Sequence, residues 1–306
     1  MAGDETALHR PRPAVSEMER VSITATVTAC TRIQQTLTTI GKILDCRPAP
    51  DEVLVHVDGG QEMCAKALGE TFPDIPVILT NEAIGPGGGR NKLMAAARNE
   101  LVANFDDDSY PYDSDFFARA LQIFALFPTA SVIGAACFHP HDSAPDERRE
   151  IVHSGSFSGG AVVFRRKDLI RAGGYIPLPI AYGAEEEDIS LRLYDRGMTI
   201  LFSPWLRVFH DSALEHHRDP VINAHVIANI GTLVFLRYPM CYWFYGLGQV
   251  ANRVLWCAKV GRWGGILRGL ALLPVHVVKL RAFRAPVSSK AIVAKHLARH
   301  SERRSF

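Results

Sequence analysis

The sequence lacks several signatures that would settle its class early. None of Cys30, Cys46, Cys64, Cys137, Cys241 and Cys257 forms a C-x-x-C pair or stands with histidines at zinc spacing. That excludes a zinc ribbon and a thioredoxin-type centre, and the thiols read as reduced core fillers of a cytosolic protein. There is no run of about 18 uncharged apolar residues, so no spanning helix is expected. The closest stretch, Gly264 to Val278, is interrupted by Arg268 and Pro274. Met1 to Arg20 has no apolar segment of a signal peptide and reads as a disordered lead. A Gly-Lys-Ser/Thr phosphate loop is missing, and no G-x-G-x-x-G follows the first apolar run. A net charge of +2 leaves no general polyanion-binding character, so nucleic acid is not an expected partner.

Acids are scarce at one end. From Arg253 onward Glu302 is the sole carboxylate, against Arg253, Lys259, Arg262, Arg268, Lys279, Arg281, Arg284, Lys290, Lys295, Arg299, Arg303 and Arg304. Apolar and aromatic stretches, including Tyr242-Trp243-Phe244-Tyr245, Trp256 and Trp263, lie in and just before this basic tail. Such helices either pack on the domain, form a homodimer contact, or rest on anionic lipid at the inner face of a membrane.

What is present is an alternation of strands and helices. Val21 to Thr28, Glu52 to Val57, Pro76 to Thr80 and Leu101 to Phe105 read as strands. Helices are expected over Ile33 to Leu44, Glu62 to Leu68 and from Asn91 to about Ala97. Further on, Phe116 to Phe127, Lys167 to Ala172 and Ile189 to Arg196 read as helices, and Ala130 to Cys137, Ala161 to Phe164, Thr199 to Phe202 and Val208 to His210 as extended. The fold class is α/β, a mostly parallel sheet flanked by helices, with a helical C-terminal extension. The expected divisions are a lead at 1–20, an α/β domain at 21–218 and a basic helical region at 219–306.

In such sheets ligands bind beyond the carboxyl ends of the strands. Thr28, Asp58 and Asp106-Asp107-Asp108 all sit there. Three adjacent carboxylates repel one another and want a cation, and hard oxygen ligands suit Mg²⁺ or Mn²⁺; a solvated turn is the plainer alternative. Asp58 could accept a base N–H or simply start a turn. Gly85 to Arg90, before a helix, suits phosphate contact. Glu185-Glu186-Glu187-Asp188 exceeds what a helix cap needs, which points to a general base. His210 could ligate a metal beside Asp108.

Taken together these motifs resemble the family 2 glycosyltransferases of GT-A (Rossmann-like) fold. The string Gly183 to Gly197 carries most of the match and Asn99 to Pro111 the rest, over roughly 21–218. The resemblance implies transfer of a sugar from a nucleoside-diphosphate-sugar, with inversion, to a saccharide or lipid-linked acceptor, assisted by Mn²⁺ or Mg²⁺. It implies that Thr28 and Asp58 hold the base, that Arg90, Asp106 and Asp107 face the donor, and that Asp108 and His210 hold the metal. Glu186 is implied as the base with Glu185 supporting, Glu187 and Asp188 being competitors, and Gly159, Gly160 and Ala161 as the acceptor's approach. Two other readings are a sugar-phosphate nucleotidyltransferase, whose Gly-x-Gly-x-Arg loop after the first strand is absent from Ala29-Cys30-Thr31-Arg32, and a non-catalytic nucleotide-sugar-binding subunit.

Overall fold

A computed structural model describes residues 22–178, 180, 184–212 and 219–305. The lead at 1–20, Tyr182, Gly183 and the boundary near Arg218 lie outside these. Among the described residues, nine strands form one sheet. β1 (Ile23–Ala29), β2 (Glu52–Val57), β3 (Val77–Leu79) and β4 (Leu101–Asp106) are parallel, in the order β3-β2-β1-β4. Helices α1 (Ile33–Leu44), α2 (Glu62–Thr71) and α3 (Gly85–Ala96) connect them. β1 is buried along its whole length because helices cover both faces.

Beyond β4 the sheet is mixed. β8 (Ala161–Arg165) runs antiparallel to β4 and to β6 (Ala130–Phe138), and β6 is parallel to β9 (Thr199–His210). The short β5 (Ser109–Pro111) and β7 (Val152–His153) pair antiparallel with β9. The sheet is therefore less parallel than expected. The two pieces expected at 199–202 and 208–210 are one strand, interrupted by a register shift around Pro204, where the backbone cannot donate to a ladder.

α4 (Phe116–Leu126) follows the acidic triplet and drives Phe116, Phe117 and Ile123 into the core against Phe105. After α5 (Arg166–Arg171) comes α6 (Glu185–Asp195), which begins four residues earlier than the apolar spacing suggested. All four acids occupy its first turn, where the backbone N–H groups favour negative charge.

The C-terminal region contains α7 (Pro220–Arg237), α8 (Trp243–Lys259), α9 (Ile266–Leu280) and α10 (Ser289–Ser305). Asp219 caps α7 by accepting from Val221 N at 2.6 Å. By length and mean hydropathy α7 would pass as a membrane span, yet 61% of it is buried inside the protein. Its Arg237 is fully buried and reaches back to α6, where Nε donates to Asp188 Oδ1 at 2.6 Å. Arg192 Nε donates to the other Asp188 oxygen at 2.9 Å. A buried carboxylate thus has two cations, one from its own helix and one from α7.

Removing Arg237 leaves Asp188 with Arg192 alone in a dry site. The Arg237→Met variant is expected to lose about 2–3 kcal/mol of unfolding free energy, read by urea denaturation.

Candidate active site

The ends of β1 and β4 are in register, Thr28 opposite Asp106, and Thr28 Oγ1 lies 3.4 Å from Asp106 Oδ1. The chain then turns through Asp107 and Asp108 into β5, which pairs Ser109 with His210 of β9. That pairing brings His210 to the triplet across 102 residues of sequence: its Nε2–H donates to Asp108 Oδ1 at 2.9 Å. Burial disfavours the charged imidazole, but the bond to Asp108 and the surrounding carboxylates win and lift the His210 pKa to about 10. Asp108 is itself held below the usual carboxylate range: burial opposes this, but His210 and Arg32 outweigh it.

The triplet is divided by its neighbours. Asp107 is buried and its pKa is pushed up to about 6 by that burial, although Arg32 donates to both of its oxygens. Arg32 also pairs with Asp108. It precedes α1 as the N-cap residue, so its backbone is fixed by the helix start. Asp106 turns the other way and accepts from Arg90 Nη2 at 2.7 Å.

Arg90 is the meeting point of the two acidic clusters. It is 4% exposed, and Nη1 lies 3.6 Å from Glu185 and 3.8 Å from Glu186. Its guanidinium sits over the Tyr175 ring at 5.6 Å. The Arg90 charge is shared among these carboxylates. The glycine run before it is not a loop. Gly87, Gly88 and Gly89 lie inside α3, and a methyl group at Gly87 would overlap the Glu185 carboxylate and one at Gly89 the His56 ring. Helix propensity is sacrificed there for close packing.

Gly159 and Gly160 have a similar cause. A Cβ at Gly159 would stand 2.5 Å from Glu186 Oε1 and 2.6 Å from Arg90 Nη1, and one at Gly160 would meet Asp106. Ala161 is fully buried in β8 opposite Phe105 and belongs to the core rather than to the cleft. Asp58 anchors the start of α3: Oδ1 accepts from Ile84 N and Oδ2 from Gly85 N, both at 2.9 Å.

A model of the family described as "Glycosyl transferase family 2" matches residues 23–178, just over half of the chain. The chain belongs to that family. No curated protein sequence matches it. Among solved structures it is similar to GalNAc-T7 with UDP, GalNAc and Mn²⁺, at 15% identity and a TM-score of 0.60 over 76% of this chain. It is also similar to the mannosyltransferase PcManGT from Pyrobaculum calidifontis in complex with GDP-Man and Mn²⁺, at 17% identity and a TM-score of 0.55 over 92% of this chain. The chain spans about half (52%) of the GalNAc-T7 chain and 87% of the mannosyltransferase. At these identities the likeness shows the GT-A fold.

Within this glycosyltransferase the four acids of α6 have four different surroundings. Asp188 is fully buried between Arg192 and Arg237. Glu187 pairs with Lys295 and Arg299 of α10 and stays below the usual range: burial opposes this, but the two cations outweigh it. Glu185 is 3% exposed, its Oε1 has no hydrogen-bond partner among the described residues, and burial raises its pKa to about 8 despite Arg90. Glu186 keeps about a quarter of its side chain exposed and faces Gly159, and burial also raises its pKa.

The residues that sequence reasoning missed are four cations and a serine: Arg32, Arg237, Lys295, Arg299 and Ser109. Ser109 Oγ accepts from Asp106 N and donates to Gly160 O, each at 2.7 Å, and so clips β4 to the glycine turn. Arg32 lies three residues beyond the end of β1, and an arginine near a strand end was the available signal.

Glu185 supplies a pH test with a definite sign. Its folded pKa of about 8 exceeds the ordinary 4.5, so the folded state binds the proton more tightly. Its contribution to stability is therefore full below pH 4.5 and lost as pH rises toward 8. Thermal melts of Glu185→Gln should show a stability gain over the parent that grows from pH 5 to pH 9.

Proposed function

We propose that this glycosyltransferase moves a sugar from a nucleoside-diphosphate-sugar to an acceptor hydroxyl with inversion, Glu186 acting as the general base. The observation that carries the reading is the division of labour in the first turn of α6. Asp188 and Glu187 are each bound to two cations, and Glu185 is sealed against α3. Among the described residues, Glu186 alone of the four combines exposure with freedom from a close ion pair, Arg90 lying 3.8 Å away. A carboxylate whose basicity is raised by burial takes a hydroxyl proton more readily. Glu185 backs it without touching the acceptor, and Gly159 leaves the space in front of it.

On the donor side, Thr28 and Asp58 stand at neighbouring strand ends and form the nucleoside end of the crevice, with Asp106 and Asp107 facing the donor. The two similar structures hold a nucleoside diphosphate or its sugar with Mn²⁺, which supports that donor class. Asp108 and His210 fit a divalent cation on their own geometry. An imidazole nitrogen and a carboxylate oxygen 2.9 Å apart are donors that one divalent ion could share. A proton holds them together in its absence, so the ion would replace that proton. Mixed nitrogen and oxygen donors favour Mn²⁺ over Mg²⁺. When bound, the ion would neutralise charge on the departing diphosphate.

A cavity of about 790 Å³ lies between β6, β9 and the start of α6. Ser158 and Glu187 line it, one residue from Gly159 and Glu186, and Phe157, Phe202, Pro204 and Ala136 make its walls mostly apolar. It has the size of a small-ligand site and is where we place the acceptor, a saccharide with an apolar or lipid-linked portion.

Glu186→Gln should lower kcat about 10²–10⁴-fold with little change in donor affinity, measured by release of the nucleoside diphosphate from a panel of donors with Mn²⁺. Full activity in that variant would sink the base assignment. Asp108→Asn should abolish the Mn²⁺-dependent rise in melting temperature on adding a nucleoside diphosphate. Retention of that rise in the parent protein without release of nucleoside diphosphate from any donor would favour a non-catalytic, nucleotide-sugar-binding role.

A further inference from the structure

We propose that α8, α9 and the turn between them form a docking face for an anionic membrane surface. This is independent of the sugar-transfer reading. Both helices pack on α7 along one edge: Gly246, Val250 and Cys257 of α8 are buried, as are Ile266, Gly269 and His276 of α9. Gly246 lets α8 close on Val234, and Gly269 lets α9 approach the backbone of Ala224. The orientation of each helix is therefore set by α7, and the other edges are left to solvent.

Those edges are apolar. Phe244 is 89% exposed, Leu255 60%, Leu267 83% and Val278 59%. Phe244, Leu247, Ala251 and Leu255 recur every three or four residues, which is one stripe of a helix. Trp263, 67% exposed, stands in the turn between the helices. Exposed apolar residues scattered singly are ordinary, but a stripe on each of two adjacent elements marks an interaction surface.

Charge selects the occupant. No Asp or Glu occurs between Asp219 and Glu302, whereas Lys259, Arg268, Lys279 and Arg281 are all exposed. Trp256 lies between two guanidinium groups, with Arg253 4.4 Å and Arg262 5.0 Å from its ring. A second copy presenting the same face would oppose cation to cation with no carboxylate to pair. An anionic bilayer satisfies both halves of the surface: the apolar side chains enter the acyl boundary, tryptophans lie at headgroup depth and bases meet phosphate. α7 stays in the protein core, so the attachment is peripheral.

The test is co-flotation of the full chain with vesicles of phosphatidylcholine, alone or with about 30% phosphatidylglycerol. The expected result is binding to the anionic vesicles only, weakened at least about tenfold by ~0.5 M salt. Leu247→Glu with Leu267→Glu should reduce partitioning by more than about tenfold, and Lys259→Glu with Lys279→Glu should remove the preference for anionic lipid. All four sites are on the surface, and unchanged circular dichroism melts would show that the variants fold. Failure of the parent protein to float with anionic vesicles would overturn the proposal, as would equal flotation of the Leu247→Glu, Leu267→Glu variant. A lipid-free dimer in sedimentation velocity that this variant dissociates would overturn it in favour of a second copy.

Discussion

The site depends on one buried guanidinium. Arg90 neutralises Asp106 at the end of β4 and lies against Glu185 and Glu186 at the start of α6. Without it, three carboxylates from two distant segments would share a poorly hydrated volume, and desolvation costs several kcal/mol per ion. With it, the two acidic clusters are held at a set separation. The glycines around it follow from the same demand: Gly87, Gly159 and Gly160 each occupy a place where a side chain would strike a member of this ion cluster. Packing, electrostatics and chemistry meet at the same atoms.

The C-terminal helices complete what Arg90 begins. α7 supplies Arg237 to Asp188, and α10 supplies Lys295 and Arg299 to Glu187. These cations come from 49 to 112 residues away in sequence and decide which acids of α6 remain available. The helical extension is thus part of the site's electrostatics, although its outer edges carry a different kind of surface. A cation placed on Glu187 also leaves its neighbour Glu186 as the carboxylate turned toward Gly159.

Much of this was legible in the chain. The alternation of β-branched runs with apolar residues at helical spacing identified β1 to β4 and α1 within a few residues. The strand-end rule then gathered Thr28, Asp58 and the triplet without any coordinates. The glycine run was misread because Gly-rich stretches usually mean turns. The close approach of Glu185 and His56 to α3, which makes glycine necessary inside a helix, leaves no local trace. β5 was missed because three residues ending in proline carry no period. β9 was read as two pieces because Pro204 breaks its ladder.

By itself the sequence determined the order of elements from β1 to β4, the acid-free C-terminal stretch and the residue types at the strand ends, since these rest on local spacing and composition. Only the tertiary structure decided what surrounds each carboxylate. Asp106, Asp107 and Asp108 are equivalent as letters, and so nearly are Glu185 to Asp188. Each is set apart by the cation it meets, whether Arg90, Arg32, His210, Arg237 or Lys295, and by how much water is left around it. Coulomb attraction and desolvation act through space, and the partners that set them lie on other elements.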